Sequence, residues 1–177
     1  MPREIGDIII YRGRPGHVAM VYDANTIIHA QMKGDFHKDP YMTEKSGTMS
    51  YADDGADVFS PPWPATGNFK ATHQAELQRV ADQIAASATY GAYRAVRLWA
   101  GDSSFGPKAW TRLYKYKTRQ KKLLTGGKKF VTTVTCAEAI ILCYQLTFSD
   151  TEEPFFIKLD AAHAMPNTLR AWLKKNW

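Results

Sequence analysis

Cysteine is scarce in this chain, with only two among its 177 residues, Cys136 and Cys143. If both lie on one helix, their spacing separates them by about 10 Å along the helix axis, which is too far for a disulfide bond. The chain is therefore not a disulfide scaffold. Cys143 lies within an apolar run, and we expect it to be a small buried core residue.

Long apolar runs are also lacking. The longest, Ala139–Tyr144, is far too short to span a bilayer, so we expect no transmembrane segment. No basic segment followed by an apolar stretch marks the N-terminus, which predicts no secretory signal peptide and a protein that is cytoplasmic as made. Hydrophobic content of 45% and charged content of 23% are ordinary for a globular protein, and residues 1–177 are predicted to form a single domain.

Acidic residues are missing between Asp102 and Glu138, a segment in which Lys and Arg alternate with aromatic residues such as Trp110 and Tyr114. A basic surface of this kind favours an anionic partner, for example a cell-wall polymer or lipid headgroups. A solvated helix face beside the loop at Gly126 would give the same pattern. Nucleic acid is the least favoured partner, because no recognised nucleic-acid-binding motif accompanies the charge.

Two histidines near the start of the chain, His17 and His29, each lie in an apolar, β-branched run, with turn residues Asp23 to Asn25 between the runs. This pattern predicts a β-hairpin. If the hairpin turns around Asp23, His17 lies opposite His29, with the Cβ atoms about 4.5–5.5 Å apart. That arrangement needs a loop of odd length, because a two-residue turn would send the two rings to opposite faces of the sheet.

The segment Thr135-Cys136-Ala137-Glu138 has the Thr-x-x-Glu form of a capping box, and apolar residues follow at helical spacing. Thr135 is then the N-cap and Cys136 the first helical residue. A thiol at this position feels the positive end of the helix dipole, which favours the thiolate. The first-turn backbone N–H groups could also hold an oxyanion. Together with two imidazoles, this predicts a cysteine acyl-transfer site.

The hairpin resembles the strand pair of NlpC-type papain-fold peptidases in its Gly6-Asp7, His17-Val18 and Ile28-His29-Ala30 segments. In that family the helix that carries the cysteine comes first. Here both histidines precede Cys136, which resembles the circularly permuted branch that includes bacterial amidase-like proteins and the lecithin:retinol acyltransferase-like enzymes. The resemblance covers only the hairpin and the surroundings of Cys136, where Thr-Cys-Ala replaces the family's usual Asp-Cys-Ser or Asn-Cys-Glu.

The resemblance implies an α+β, papain-like fold of the circularly permuted NlpC type, with a small antiparallel sheet or partial barrel packed against helices. Its nucleophile would be Cys136 at a helix N-terminus, with His17 as the base and His29 as the polar residue that orients His17. It implies a cysteine hydrolase that cleaves amide bonds, with peptidoglycan stem peptides as substrate and no cofactor. An antibacterial effector, exported by a specialised secretion system to the periplasm of a target cell and matched by an immunity protein, would fit this activity.

Two other classes of function remain open. Lipid acyl transfer or (thio)ester hydrolysis could use the same site, as in the acyltransferase-like branch. A non-catalytic binding domain could use Cys136, His17 and His29 to bind zinc, because thiolate and imidazole are its preferred ligands. A long apolar groove beside Cys136 would favour lipid, whereas a narrow polar cleft would favour an amide substrate.

The rest of the chain is predicted from periodicity and turn residues. Segment 33–71 is predicted as a long loop or insertion, which for a compact domain indicates a lid, a cleft wall or unrecognised short strands. His37 in this segment and His73 at a helix start are expected to face solvent. The remaining predicted elements are helices at 72–88, 107–123 and 166–175 and strands at 92–99 and 155–159.

Overall fold

A five-stranded antiparallel sheet forms the centre of the protein. The computed structural model describes residues 3–12, 16–31, 35–42, 54–91, 103–123 and 131–177. The strands follow the spatial order β4-β3-β2-β1-β5. Their bounds are Ile8–Tyr11 (β1), His17–Val21 (β2), Thr26–Gln31 (β3), Asp35–Pro40 (β4) and Asp57–Phe59 (β5). Branched Ile and Val side chains dominate the three inner strands and suit a pleated, buried surface.

The helices pack against one face of this sheet. They are Phe69–Ala85 (α1), Pro107–Leu123 (α2), Cys136–Thr147 (α3) and Pro166–Asn176 (α4), with a short 3-10 turn at Ala161–His163. Two further strands, Thr89–Tyr90 (β6) and Thr133–Val134 (β7), form a small parallel pair directly before α3. The described residues therefore have the predicted α+β class. None of the described helices is both long enough and apolar enough to cross a bilayer.

Helix α3 lies against β2, β3 and α1, and every residue from Cys136 to Leu146 is buried. A helix that is apolar on all sides is typical of such a central position. Both cysteines lie on this helix and are free thiols, and Cys143 is fully buried, as predicted.

Both faces of the sheet are apolar, which explains the nearly continuous apolar runs of the inner strands. Alternate residues face the helices, among them Ile8, Ile10, Val18, Met20 and Ile28. The residues between them form a smaller cluster on the opposite face: Ile9, Ala19, Val21 and Ile27, with Tyr11, Tyr41, Ala56 and Val58 packed against it. A strand covered on both faces cannot show the polar–apolar alternation of a surface strand.

The β2–β3 hairpin turns around Ala24 rather than Asp23, so the predicted pairing of His17 with His29 is wrong. His29 pairs with Ala19 instead. The cause lies in the turn, where the Asp23 carboxylate accepts a hydrogen bond from the Asn25 backbone N–H at 2.8 Å. Tyr22 and Asp23 both donate backbone N–H groups to the carbonyl of Thr26, which closes a three-residue loop. The loop has the expected odd length, so both rings still lie on one face.

The prediction of a long loop over 33–71 is wrong where the segment forms β4 and β5 and the start of α1. Strand β4 is an edge strand whose sequence, Asp-Phe-His-Lys-Asp-Pro, has one buried apolar residue, Phe36. Such a strand has almost no hydrophobic signal and depends on pairing with β3. Residues 43–53 of the segment lie outside the described residues.

The other predicted elements have mixed outcomes. Helix α2 has its predicted bounds, α4 extends one residue further, and α1 begins and ends three residues earlier than expected. The predicted strand at 155–159 is wrong, because these residues form turns whose buried side chains pack on the core, with one isolated bridge between Leu159 and Ser104. The predicted strand at 92–99 lies outside the described residues.

Candidate active site

Cys136 begins α3 as predicted, and the capping box is complete. The Thr135 hydroxyl accepts a hydrogen bond from the Glu138 backbone N–H, and the Glu138 carboxylate accepts one from the Thr135 backbone N–H, both at 3.3 Å. Thr135 has extended backbone angles, and Glu138 is buried. The cap therefore fixes the first turn of α3 and the position of the thiol it carries.

Cys136 is 7% exposed, and burial raises the pKa of its thiol. Hydrogen bonds from the backbone N–H groups of Val18, Ala137 and Cys136 itself lower the pKa of the thiol, but the effect of burial is larger. Burial therefore opposes the thiolate that the start of the helix favours, because desolvation disfavours the charge. Nucleophilic attack by this thiol would need a base.

His17 and His29 are in direct contact. His17 Nε2 lies 2.7 Å from His29 Nδ1, and the two rings meet edge to face with centroids 4.9 Å apart. His29 pairs with Ala19, so His17, two residues before Ala19, is its diagonal neighbour on the same face of the sheet. The spacing of twelve residues in the sequence thus produces a hydrogen-bonded imidazole pair.

Asp39 on β4 extends this pair into a chain of three side chains. Its Oδ2 atom lies 2.8 Å from Nε2 of His29, whose side chain is completely buried. An ionised carboxylate only accepts hydrogen bonds, so His29 carries its proton on Nε2 and presents the lone pair of Nδ1 to His17. His17 then donates from Nε2, and its own lone pair lies on Nδ1. Asp39 thereby fixes the tautomer of both rings.

The two imidazoles are uncharged at neutral pH. Burial is the main cause that lowers the pKa of His17 to about 3, with the charges of His29 and His37 adding to it. Burial also lowers the pKa of His29, although Asp39 opposes the shift. The hydrogen-bonded series His17–His29–Asp39, called the tautomer chain below, requires neutral rings. A doubly protonated imidazole has no lone pair with which to accept a hydrogen bond.

His37 belongs to the same cluster, contrary to the expectation that it faces solvent. It pairs directly with His29 across β3 and β4, and the ring centroids are 4.9 Å apart. Its Nε2 lies 3.4 Å from Asp39 Oδ2 and 3.1 Å from the side-chain amide nitrogen of Gln31. Sequence reasoning missed His37 and Asp39 because it missed β4. Their spacing of two residues is the one local signal that could have placed both on one strand face.

His73 is also not solvent-facing. Its Nδ1 donates to the backbone carbonyl of Phe69 at 2.8 Å, and its ring stacks on Phe148 with centroids 4.8 Å apart. Its Nε2 lies 3.4 Å from the Glu152 carboxylate. His73 thus helps to pack the start of α1 and takes no part in the cluster around His29.

The structure brings His17 and His29 together directly, and it brings Cys136 to the same end of β2 but to the opposite, helix-facing side of the sheet. The Val18 N–H that acts on the thiol belongs to the residue that follows His17 in the strand. Within the described part of the chain, the thiol and the His17 ring share no hydrogen bond. Because side chains alternate along a strand, His17 lies on the face of Ala19 and its ring contacts Tyr11, whereas Val18 and Cys136 belong to the core on the helix side. Proton transfer between Cys136 and His17 would therefore need a rearrangement at the start of β2.

The scan against protein-family models and the searches of curated proteins and of solved structures found no match for this chain. The geometry of these side chains is therefore the basis on which a function can be assigned.

Proposed function

We propose that the protein is a cysteine hydrolase of the permuted NlpC-like, papain-fold type that cleaves amide bonds in peptidoglycan stem peptides. The observation that carries the proposal is the 2.7 Å hydrogen bond between His17 and His29 at the start of β2, where Val18, the residue after His17, donates its backbone N–H to the thiol at the start of a capped helix. A nucleophile, a base and a group that orients the base are the three parts such a reaction needs.

The first step is acylation. The Cys136 sulfur attacks the amide carbon while its proton passes to Nδ1 of His17, the nitrogen that the tautomer chain leaves basic. The backbone N–H groups in the first turn of α3 would hold the oxyanion of the tetrahedral intermediate. His17 then returns the proton to the leaving amine as the carbon–nitrogen bond breaks, which leaves a thioester on Cys136.

The second step is hydrolysis of the thioester. Water attacks the thioester carbon while His17 takes a proton from it, and the intermediate collapses to a carboxylic acid with return of the proton to the Cys136 sulfur. In both steps His17 is transiently an imidazolium. Its Nε2–H donates to His29, whose opposite N–H donates to the Asp39 carboxylate, so a fixed negative charge stabilises the cation.

Helix α2 supports an anionic wall polymer as the substrate. It packs beside α3 and carries basic residues along its length with no acidic residue among them. Two large aromatic side chains on it are exposed, Trp110 by 41% and Tyr114 by 72%. A cationic surface with aromatic platforms next to the helix of the nucleophile would concentrate a negatively charged polymer near the site. A protein of this activity suits an exported antibacterial effector with an immunity protein.

The test is digestion of purified peptidoglycan by the wild-type protein and by Cys136→Ala, followed by mass spectrometry of the soluble fragments. We expect fragments from the wild type alone, each pair of products heavier than its parent by one water. Equal fragments from both proteins would reject Cys136 as nucleophile. No fragments from either, with fatty acid released from phospholipid vesicles by the wild type only, would replace the amide substrate with a lipid.

A further inference from the structure

Besides the His17–His29 pair, the side chains around His29 include a set of three that can hold a metal ion. One ring nitrogen of His29, one ring nitrogen of His37 and a carboxylate oxygen of Asp39 all lie within 4.8 Å of one another. We propose that His29, His37 and Asp39 bind a divalent zinc-like cation, and that the bound cation switches off the base His17. The metal site stands on this geometry, and its inhibitory effect rests on the proposed function.

His37 already has the tautomer that a metal ligand needs. The Gln31 side-chain amide donates to its Nε2 at 3.1 Å, so this nitrogen carries a lone pair. The opposite nitrogen, Nδ1, lies 3.4 Å from the backbone carbonyl of Asp35. A donor bond from the remote ring nitrogen to a carbonyl is the usual support of a metal-bound histidine. A small turn of the Gln31 amide would free Nε2 for the cation.

Asp39 gives a second, independent indication. Its Oδ2 lies 2.8 Å from Nε2 of His29 and 3.4 Å from Nε2 of His37. With a lone pair on His37 Nε2, a carboxylate oxygen and an acceptor nitrogen face each other without a proton between them. A cation at this point would replace their repulsion by attraction. The donors, two imidazoles and one carboxylate, are those zinc accepts at about 2.0–2.2 Å, with a fourth position left for water.

Solvent can reach this position. The side chains of His37 and Asp39 are 27% and 33% exposed, whereas His29 closes the inner side. A partly open site of this kind permits reversible exchange of the cation, which a regulatory ion requires.

The inhibitory effect follows from the tautomer chain. A cation on Nε2 of His29 displaces the proton that Asp39 now holds there. His29 keeps one proton, which must then lie on Nδ1 and point at Nε2 of His17. The proton between the two rings therefore belongs to His29, and neutral His17 takes its own proton on Nδ1 from solvent. One proton is released from Nε2 of His29 and one is taken up at Nδ1 of His17, so the number of bound protons is unchanged. His17 no longer has a lone pair on Nδ1 to accept the thiol proton.

The binding test uses zinc ion alone with the full chain. Calorimetry should give one strong site in the wild type and in Cys136→Ala, weakened at least about tenfold in His37→Gln. X-ray absorption at the zinc edge should show nitrogen and oxygen neighbours near 2.0–2.1 Å and no sulfur near 2.3 Å. Unchanged binding in His37→Gln, loss of binding in Cys136→Ala, or a sulfur neighbour would overturn the site in favour of one that includes Cys136 or lies elsewhere.

The switch is tested by nitrogen NMR of the imidazoles and by activity. Zinc should move the His17 proton from Nε2 to Nδ1 in the wild type but not in His37→Gln at the same concentration. If the protein cleaves peptidoglycan, zinc should inhibit the wild type. The same zinc concentration should inhibit His37→Gln less, when the activity of each protein is compared with its own activity without zinc. Zinc binding without the change of tautomer overturns the switch. Zinc binding with that change but no hydrolysis of any acyl substrate overturns only the proposed function.

Discussion

His17 Nε2 lies 2.7 Å from His29 Nδ1, and this contact fixes the position of the two imidazole rings relative to each other. Because of this contact, the ring nitrogen on which His17 carries its proton depends on His29 of β3, and through His29 on Asp39 of β4. In the proposed mechanism, a tautomer fixed before substrate binds leaves His17 ready to accept a proton at a single atom. Variants of these residues distinguish this arrangement from a set of buried histidines with a purely structural role.

Removal of the nucleophile is expected to abolish hydrolysis without loss of the fold. In Cys136→Ala, kcat should fall to the background rate, while the circular dichroism spectrum stays that of the wild type. The matched control is Cys143→Ser, on the same helix but fully buried away from the site. It should keep its activity and lose stability through the buried hydroxyl. A folded but inactive Cys143→Ser beside an active Cys136→Ala would mean that the other thiol is the nucleophile.

Loss of the base should be more damaging than loss of the residue that orients it. We expect His17→Ala to lower kcat by about 10²–10⁴-fold, the range that general acid–base catalysis supplies. His29→Ala should lower kcat less, because a misoriented base still accepts some protons. His73→Ala serves as the control, since His73 packs against Phe148 and lies outside the cluster. Equal activity of His17→Ala and the control would remove His17 from the mechanism.

Asp39→Ala should lower activity because it changes the tautomers of His29 and His17. Without the carboxylate, His29 has no partner that holds its proton on Nε2, so the population of His17 with a basic Nδ1 falls. We expect kcat to drop by about tenfold or more, with little change in KM. Nitrogen NMR of the imidazoles should show mixed tautomers in Asp39→Ala and a single one in Asp54→Ala, a variant of an exposed turn residue. A lowered kcat with unchanged tautomers would contradict this role.

The capping box is expected to contribute measurable stability. Thr135→Ala leaves the Glu138 backbone N–H without its side-chain acceptor, and N-cap removal costs about 0.5–2 kcal/mol of unfolding free energy. Urea titration measures the loss, with Thr66→Ala on the surface as the control. A Thr135→Ala variant as stable as this control would show that packing alone fixes the start of α3.

Asp57 should make stability depend on pH in the acid range. Arg12 and Arg170 both pair with its carboxylate and lower its pKa from 3.8 to about 2. The folded state thus holds fewer protons than the unfolded chain, so this stabilisation is complete above about pH 4 and is lost as pH falls towards 2. Asp57→Asn should be less stable than wild type at pH 6, and the difference should shrink at pH 3. A difference that stays constant would assign the effect to packing.

Local rules predicted part of the site. A cap sequence acts within one turn of helix, so the start of α3 at Cys136 could be derived from four residues. The odd loop and the shared face of His17 and His29 followed from the period of two along a strand. The actual pairing of His29 with Ala19 could not be derived, because it depends on the conformation that Asp23 and Asn25 adopt in the turn.

The rest of the site depends on tertiary structure. Strand β4 is polar and exists because it pairs with β3, so no local pattern revealed that His37 and Asp39 come to lie beside His29. The pKa of Cys136 likewise could not be derived from its helix position. Burial under β2 and the surrounding core decides it, and burial becomes visible only when the chain is folded.

Trapping the acyl intermediate tests whether Cys136 is the nucleophile. A reaction with an acyl substrate that the protein turns over is stopped in acid, and the digested protein is mapped by mass spectrometry for the position of the added acyl group. We expect the acyl group on Cys136 in the wild type and none in Cys136→Ala. Turnover with no adduct on Cys136, together with full activity of Cys136→Ala, would contradict this expectation.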